Sequence, residues 1–365
     1  MIWPWKKTNG TAAVAADLRE RNSAQDALTA LIGALPDPVM LLDDHSVVYS
    51  ANTRAKDLLN MDPVGQHLSS AIRAPAILEA VQNILEHGGS MRVDYELHVP
   101  VPRHFEAFIS AMSIIGPEVA ALVLLRDLTR EQQTERMRAD FVAHASHELR
   151  TPLASLLGFI ETLQGAAKKD EVSRERFLAL MQTQAQRMKR LIDDLLSLSR
   201  IEMNAHQRPT GTADLTQIAL HVRDTLAGLA RDAEVEIKIE SPGPLAVQGD
   251  WDELVQVIQN LVENAIKYAA SGKLIEVTGM RVGEDCELVV RDHGPGIAEQ
   301  HLPRLTERFY RTNAQESRSR GGTGLGLAIV KHILNRHRGK MRIQSQLGDG
   351  SSFTIRIPAA SSKSK

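Results

Sequence analysis

Hydrophobic and polar positions change rhythm twice along the 365-residue chain. Residues 25–129 mix short apolar runs with turns. "PVMLLDDHSVVYSAN" predicts two strands around a turn at Asp43-Asp44, and "TRAKDLLN" predicts a short helix. "MRVDYELHV", "RHFEAFISAMSI" and "VAALVLLRDLT" alternate or run apolar as strands do. Over 130–205 the period becomes helical. Met137, Phe141, Ala145 and Leu149 recur every four residues on one stripe. After a polar loop near "AAKKDEVS", the residues Phe177, Met181, Gln184, Met188, Leu191, Leu195 and Leu198 follow the alternating four-three spacing of a heptad seam. "HQRPTGTA", 206–213, is polar with Pro and Gly and reads as a linker. Over 214–358 strands return as "EVEIKIE", "LIEVTGM", "CELVVRD", "GKMRIQSQ" and "SFTIRIP", with helices at 214–231, 251–269 and 324–337. Residues 1–24 form a flexible N-terminus and 359–365 a polar tail.

Two helices joined by a short loop make an antiparallel hairpin. One hairpin alone leaves its apolar seam wet, so a homodimer that pairs two hairpins as a four-helix bundle is expected. The fold class is therefore multidomain α+β, with an α/β sensor, a dimeric helical hairpin and a second α/β domain.

Composition narrows the function. The 43 basic residues nearly balance the 45 acidic ones, which argues against a nucleic-acid partner. The single cysteine, Cys286, permits no internal disulfide and no cysteine-based zinc site, and it fits a reducing cytosol. No apolar run reaches the roughly 18 residues of a transmembrane helix. Trp3 and Trp5 beside Lys6 and Lys7 fit an interfacial anchor, but an irregular, disordered terminus is the favoured reading. A cytoplasmic location is expected, with the cytoplasmic face of the inner membrane as the alternative.

"FVAHASHELRTPLASLLGFIE" carries the first candidate chemistry. His147 lies two residues from both Ala145 and Leu149, roughly 160° away from each, and should face solvent. Thr151 is one turn further along the same face. Pro152 removes the helical donor for the Glu148 carbonyl and predicts a bend. A carboxylate beside an exposed imidazole can hold one ring proton and leave the other nitrogen free to attack. Taken alone, His147-Glu148 reads as a surface histidine with an accidental neighbour.

Three further stretches could surround a nucleotide. In "GDWDELVQVIQNLVENAIKYA", Asp250 and Glu253 form a capping-box pattern. Leu254, Ile258, Leu261 and Ala265 make an apolar stripe, and Asn260, Asn264 and Lys267 share another face. An Asn carbonyl can supply one oxygen to Mg²⁺ while ATP phosphates supply others. "LVVRDHGPGIA" ends a strand at Asp292 and turns through Gly294-Pro295-Gly296, so a carboxylate could accept a hydrogen bond from an adenine amine. "ERFYRTNAQESRSRGGTGLGLAIVKHIL" opens a helix through Gly322, Gly324 and Gly326, and a glycine-rich helix start favours phosphate. It is neither a Walker loop nor a dinucleotide fingerprint. Arg308, Arg311, Arg318 and Arg320 before it predict a lid whose arginines meet triphosphate. Each piece alone also reads as polar surface, a tight turn or a solvated basic loop.

Together, and in this order, they resemble the bacterial two-component sensor histidine kinases. "SHELRTPL", Ser146–Leu153, resembles the family's phosphoacceptor box without a gap. The resemblance implies that His147 accepts the phosphoryl group, Glu148 is its base, and Thr151 orients water for removing phosphate from a partner regulator. It further implies an α/β-sandwich ATPase domain over 214–358, with Asn264 on Mg²⁺ and Asn260 in the phosphate–metal network. Lys267 and Tyr268 would contact ATP, Asp292, Gly294 and Gly296 adenine, and Gly322, Thr323, Gly324, Leu325 and Gly326 the phosphates. The related gyrase-type ATPases need a carboxylate where this chain has Asn260, so the γ-phosphate should await a nucleophile other than water. Residues 25–129, closing on "RDLT" at Arg126–Thr129, resemble a PAS sensor. His45, His67, His87, His98 and His104 could each ligate haem, but a cofactor-free sensor is favoured. Thr306 in "HLPRLTERFYR" resembles the PhoR-type kinases of the phosphate regulon, which implies a PhoB-type response regulator that takes phosphate on an aspartate. The alternative is a non-enzymatic signalling scaffold with a degenerate ATP domain.

Overall fold

A computed structural model describes residues 27–97, 102–112, 120–165, 167–168, 170–204, 207–312 and 322–360. Trp3, Trp5, Lys6, Lys7, His98, Arg318 and Arg320 lie outside the described residues. The chain divides into two compact units, residues 1–140 and 141–365.

In the first unit, helical residues 27–34 precede β1 (Val39–Leu42) and β2 (Val48–Ala51). The turn at Asp43 is set by its carboxylate, which accepts the amides of His45 at 2.9 Å and Val47 at 2.8 Å. Helices α1 (Thr53–Leu59), α2 (Leu68–Ala71) and α3 (Pro75–His87) follow, then β3 (Ser90–Leu97), β4 (Arg103–Ala111) and β5 (Ala121–Asp127). The strands form one antiparallel sheet in the order β2-β1-β5-β4-β3. The helix α3, which the strand pattern did not predict, buries Ile77, Ala80, Val81 and Ile84 on one face. Those residues join Met40, Leu42, Phe105, Ile109, Val123 and Leu125 in the core. His67 caps α2 through its ring, and His104 stands 3.1 Å from Glu96.

Two long helices come next. The first, α4 (Thr129–Gln164), passes from the first unit into the second and runs unbroken through Pro152. The second, α5 (Glu171–Met203), starts at Asp170, whose carboxylate caps the amides of Val172 and Ser173. Leu191 and Leu198 of the heptad seam are buried, and the other five seam residues are half-buried.

The remaining elements are β6 (Thr212–Asp214), α6 (Leu215–Asp232), β7 (Glu236–Glu240), β8 (Ala246–Gln248), α7 (Trp251–Ala269), β9 (Leu274–Val282), β10 (Asp285–Asp292), α8 (Gly326–Arg336), β11 (Lys340–Gln346) and β12 (Gly350–Pro358). Five strands form a sheet in the order β11-β12-β10-β9-β7, with only β7 and β9 parallel. β9, β10 and β12 alternate buried with more exposed positions, and α6, α7 and α8 share the apolar core of the sheet. This is an α/β sandwich. Asp250 caps α7 by accepting the amide of Glu253, and Leu254, Ile258, Leu261 and Ala265 are all buried. The side chain of Glu253 pairs with Arg336 on α8 instead of completing a capping box.

Candidate functional site

The exposed face of α4 carries His147, and Thr151 lies one turn on, donating its hydroxyl to the His147 carbonyl at 3.3 Å. Glu148 points elsewhere. Its Oε2 accepts from Arg187 on α5 at 3.1 Å and from Arg311 at 3.2 Å, and only 14% of its side chain is exposed. Two guanidiniums on one half-buried carboxylate make charge-assisted bonds, each stronger than a neutral pair. Arg187 was not singled out in the sequence. It sits 39 residues from Glu148, so no local spacing connects them.

Arg311 also touches the glycine-rich turn. Gly324 has φ +76°, a region that disfavours any side chain, and a Cβ there would meet the Phe309 backbone and, at 3.2 Å, Nε of Arg311. That Nε is buried and has no hydrogen-bond partner among the described residues. Gly322 and Thr323 precede the turn, and Leu325 is buried at the start of α8. Thr323 donates its hydroxyl to Asp194 of α5 at 2.6 Å. Asp194 has its carboxyl raised above the usual range, because burial outweighs its hydrogen bond to Thr323 and the charges of Lys267 and Arg190. Arg308 lies over the Phe141 ring, 5.2 Å from its centre, and pairs with Glu202 of α5.

Helix α7 brings the asparagines to the same neighbourhood. A side chain at Gly326 would meet Oδ1 of Asn260 at 3.1 Å and would push the Asn260 amide aside by a few tenths of an ångström, which places the start of α8 against α7. Asn264, one turn on, is half-buried. Lys267 pairs with Glu263 at 2.7 Å. Burial pushes the Glu263 carboxyl up, but Lys267 and Gln259 together hold it below the usual range. Glu263 is a residue the sequence reading passed over, although its spacing of four to Lys267 could have signalled the pair.

Asp292 is the last residue of β10 and is 6% exposed. Its Oδ1 accepts the amides of Gly294 at 3.0 Å and Ser351 at 3.2 Å. Burial raises its carboxyl above the usual range, partly offset by those two amides. Gly296, also with positive φ, completes the turn. Beside this turn a cavity of about 430 Å³ is lined by Lys267, Tyr268, Ala270, Ser271 and Pro295. A larger cavity of about 590 Å³, lined by Thr306, Lys331, Leu334 and Ile343, contains none of the predicted site residues. Among the described residues no His, Cys, Asp and Glu cluster could hold a metal unaided. The neutral asparagines therefore suit Mg²⁺ only if a ligand brings anionic oxygens with it.

The structure thus gathers four separated stretches: the His147 turn, the asparagine face of α7, the end of β10 and the glycine-rich start of α8. Residues 137–204 match the family described as the His Kinase A (phospho-acceptor) domain. Residues 249–361 match the family described as the histidine kinase-, DNA gyrase B-, and HSP90-like ATPase. The phosphate regulon sensor protein PhoR of Pseudomonas aeruginosa is 34% identical over 340 residues, covering 92% of this chain and 75% of that protein. The sensor-like histidine kinase SenX3 of Mycobacterium tuberculosis is 38% identical over 66% of this chain, which spans 58% of SenX3. The sensor protein kinase WalK of Staphylococcus aureus is 30% identical over 92% of this chain and 81% of its own length.

Proposed function

The chain belongs to the two-component sensor histidine kinases as a PhoR-like member, an ATP-dependent protein-histidine kinase, and from that premise we propose how its residues divide the reaction. ATP lies with its adenine amine on Asp292 and its base against Tyr268 and the Gly294–Gly296 turn. Asn260, Lys267, Arg308, Arg311 and the residues Gly322–Gly326 hold the phosphates. Mg²⁺, when bound with ATP, adds positive charge at the phosphates, with Asn264 as its protein ligand.

The ring nitrogen of His147 attacks the γ-phosphorus. An N–P bond forms, the bond from phosphorus to the β,γ-bridging oxygen breaks, ADP leaves, and Glu148 takes the ring proton. The phosphoryl group then passes to an aspartate of a response regulator, and Thr151 orients water when the regulator is dephosphorylated. One observation carries this reading: Arg311 bridges Glu148, the neighbour of exposed His147, and the turn at Gly324.

A homodimer fits the exposed apolar residues of the hairpin, among them Val142, Leu153, Leu157, Leu178, Ile192 and Leu196. A PAS-like sensor fits the antiparallel order β2-β1-β5-β4-β3 with helices inserted between β2 and β3. A PhoB-type regulator is favoured by the PhoR relative, and WalK and SenX3 relatives widen the choice. No described helix is long and apolar enough to cross a membrane, which accords with a cytoplasmic location.

The test is incubation of the purified chain with γ-labelled ATP and Mg²⁺ beside His147→Ala and Thr151→Ala. Acid-labile, alkali-stable label should appear in the wild type, vanish in His147→Ala and persist in Thr151→Ala. Full labelling of His147→Ala would remove His147 as the acceptor. In the same series, a phosphorylated regulator should lose phosphate more slowly with Thr151→Ala.

A further inference from the structure

The helical hairpin pairs a carboxylate with every described polar side chain that the reading above sets at the glycine-rich, arginine end of the nucleotide. Arg311 is held by Glu148 at 3.2 Å, Thr323 by Asp194 at 2.6 Å, and Arg308 by Glu202. Asp194 and Glu202 stand about two turns apart on α5, and Glu148 lies on α4, tied to α5 through Arg187. Leu191, Leu198 and Ile201 of α5 are buried in the same apolar core as α7 and α8, which sets the hairpin against the ATPase domain at these points. Ser197 adds a hydrogen bond to Gln256 at 2.9 Å.

Three anionic side chains on three groups suited to phosphate are a pattern that simple packing does not require. Each carboxylate presents the planar, double-oxygen acceptor that arginine prefers, and a phosphate would present the same chemistry. The arrangement is also incomplete. Nε of Arg311 is buried and has no partner among the described residues, an arrangement that costs about 1–3 kcal/mol until an acceptor reaches it. A second anionic oxygen near Gly324 would supply one.

We infer that Glu148, Asp194 and Glu202 act as an internal stand-in for the triphosphate, so that docking of the hairpin in this geometry and binding of ATP phosphates exclude each other. In this state Glu148 is committed to two arginines and cannot serve His147. ATP releases it by taking Arg311, so nucleotide binding and the freeing of the base become one event. The inference rests on the ATP reading of the site, and its test separates the two.

The full chain would be titrated with a non-hydrolysable ATP analogue plus Mg²⁺, and separately with adenosine, beside Asp194→Asn/Glu202→Gln. Removing two competing charges should tighten the ATP analogue by about threefold to tenfold, the range expected for partly exposed ion pairs. Adenosine carries no phosphate, so its affinity should not change. Equal or weaker binding of the ATP analogue by the double variant would overturn the inference while leaving the kinase reading intact. A wild type that binds neither ligand would overturn the kinase reading, and this inference with it. A second measurement needs no mutation. In the wild type, amide hydrogen exchange over residues 191–202 should rise with the ATP analogue and stay level with adenosine. Equal protection with both ligands would count against mutual exclusion.

Discussion

Asn52 and Asp292 are two of the few buried polar residues, at 4% and 6% exposure, and they sit in different units. Asn52 uses its whole amide. Oδ1 accepts from Val39 at 3.0 Å and Ala55 at 2.9 Å, while Nδ2 donates to Ile32 at 3.0 Å and Asp37 at 2.8 Å. That is the full complement such a side chain can make. Asp292 uses one oxygen only; among the described residues Oδ2 has no hydrogen bond, although the carboxyl is buried enough to be raised in pKa. A satisfied buried polar group specifies structure. A half-used one that is not sealed from solvent keeps an acceptor open to a ligand. Asn52 is thus a fastener between β1, α1 and the segment before them, whereas Asp292 keeps an acceptor for the adenine contact proposed above.

The largest effect should come from Asn52. Asn52→Ala removes the side-chain acceptor of the Val39 and Ala55 amides, the donor to the Ile32 and Asp37 carbonyls, and with them the cap of α1. A loss of about 2–4 kcal/mol is expected in denaturant unfolding of the full chain, with the affinity for an ATP analogue unchanged. A loss under about 1 kcal/mol would mean that water replaces the amide easily, which the stated burial argues against.

Asp292→Ala should do the reverse. Losing one charge-assisted bond to the base weakens an ATP analogue by about tenfold to a hundredfold, or about 1.5–3 kcal/mol. Unfolding should shift less than in Asn52→Ala, because the loss of the bonds from the Gly294 and Ser351 amides is partly offset by removal of a buried carboxyl. An affinity within about twofold of wild type would take Asp292 out of the adenine contact.

The same two residues show what the sequence could carry. Asp292 was legible because its signal is local: an alternating strand, an acid at its end and two glycines in the next four positions. The longer strands and the helices of the second unit were legible for the same reason, their periods being complete within each element, whereas β6 and β8, three residues each, are too short to show a period and β6 begins inside the stretch read as a linker. Asn52 carries only the local signal of a helix cap before "TRAKDLLN", since its partners Ile32 and Val39 are 20 and 13 residues away and meet it only after the sheet forms. The pairing of Glu148 with Arg187 and Arg311 spans 39 and 163 residues and depends on how the hairpin packs on the ATPase domain. Helix α3 was overlooked for a different reason: its start has Pro75 but no side-chain cap, and it follows a loop that offers no contrasting pattern.

The smallest effect is a slope. Burial raises the Asp292 carboxyl, so the folded chain holds that proton more tightly than the unfolded chain. Between the ordinary carboxylate value and the raised folded one, the native state binds more protons, and stability falls as pH increases. Above the folded value the slope vanishes. Asp292→Asn carries no titrating group, so the wild-type stability relative to it should decline with rising pH across that window and then level. Asp194, raised by burial, contributes the same sign, while Asp62 and Asp170, lowered by hydrogen bonds, contribute the opposite one. All three are present in both proteins and cancel in the difference. Urea midpoints for the pair over an acid-to-neutral series would give the slope, and a rising difference would reverse the assignment of Asp292 as a burial-strained acid. Saturating adenosine sharpens the comparison with Asn52. An amine donated to Oδ2 favours the ionised form, so the slope should flatten with adenosine bound, whereas Asn52, already complete, gives a ligand nothing to change.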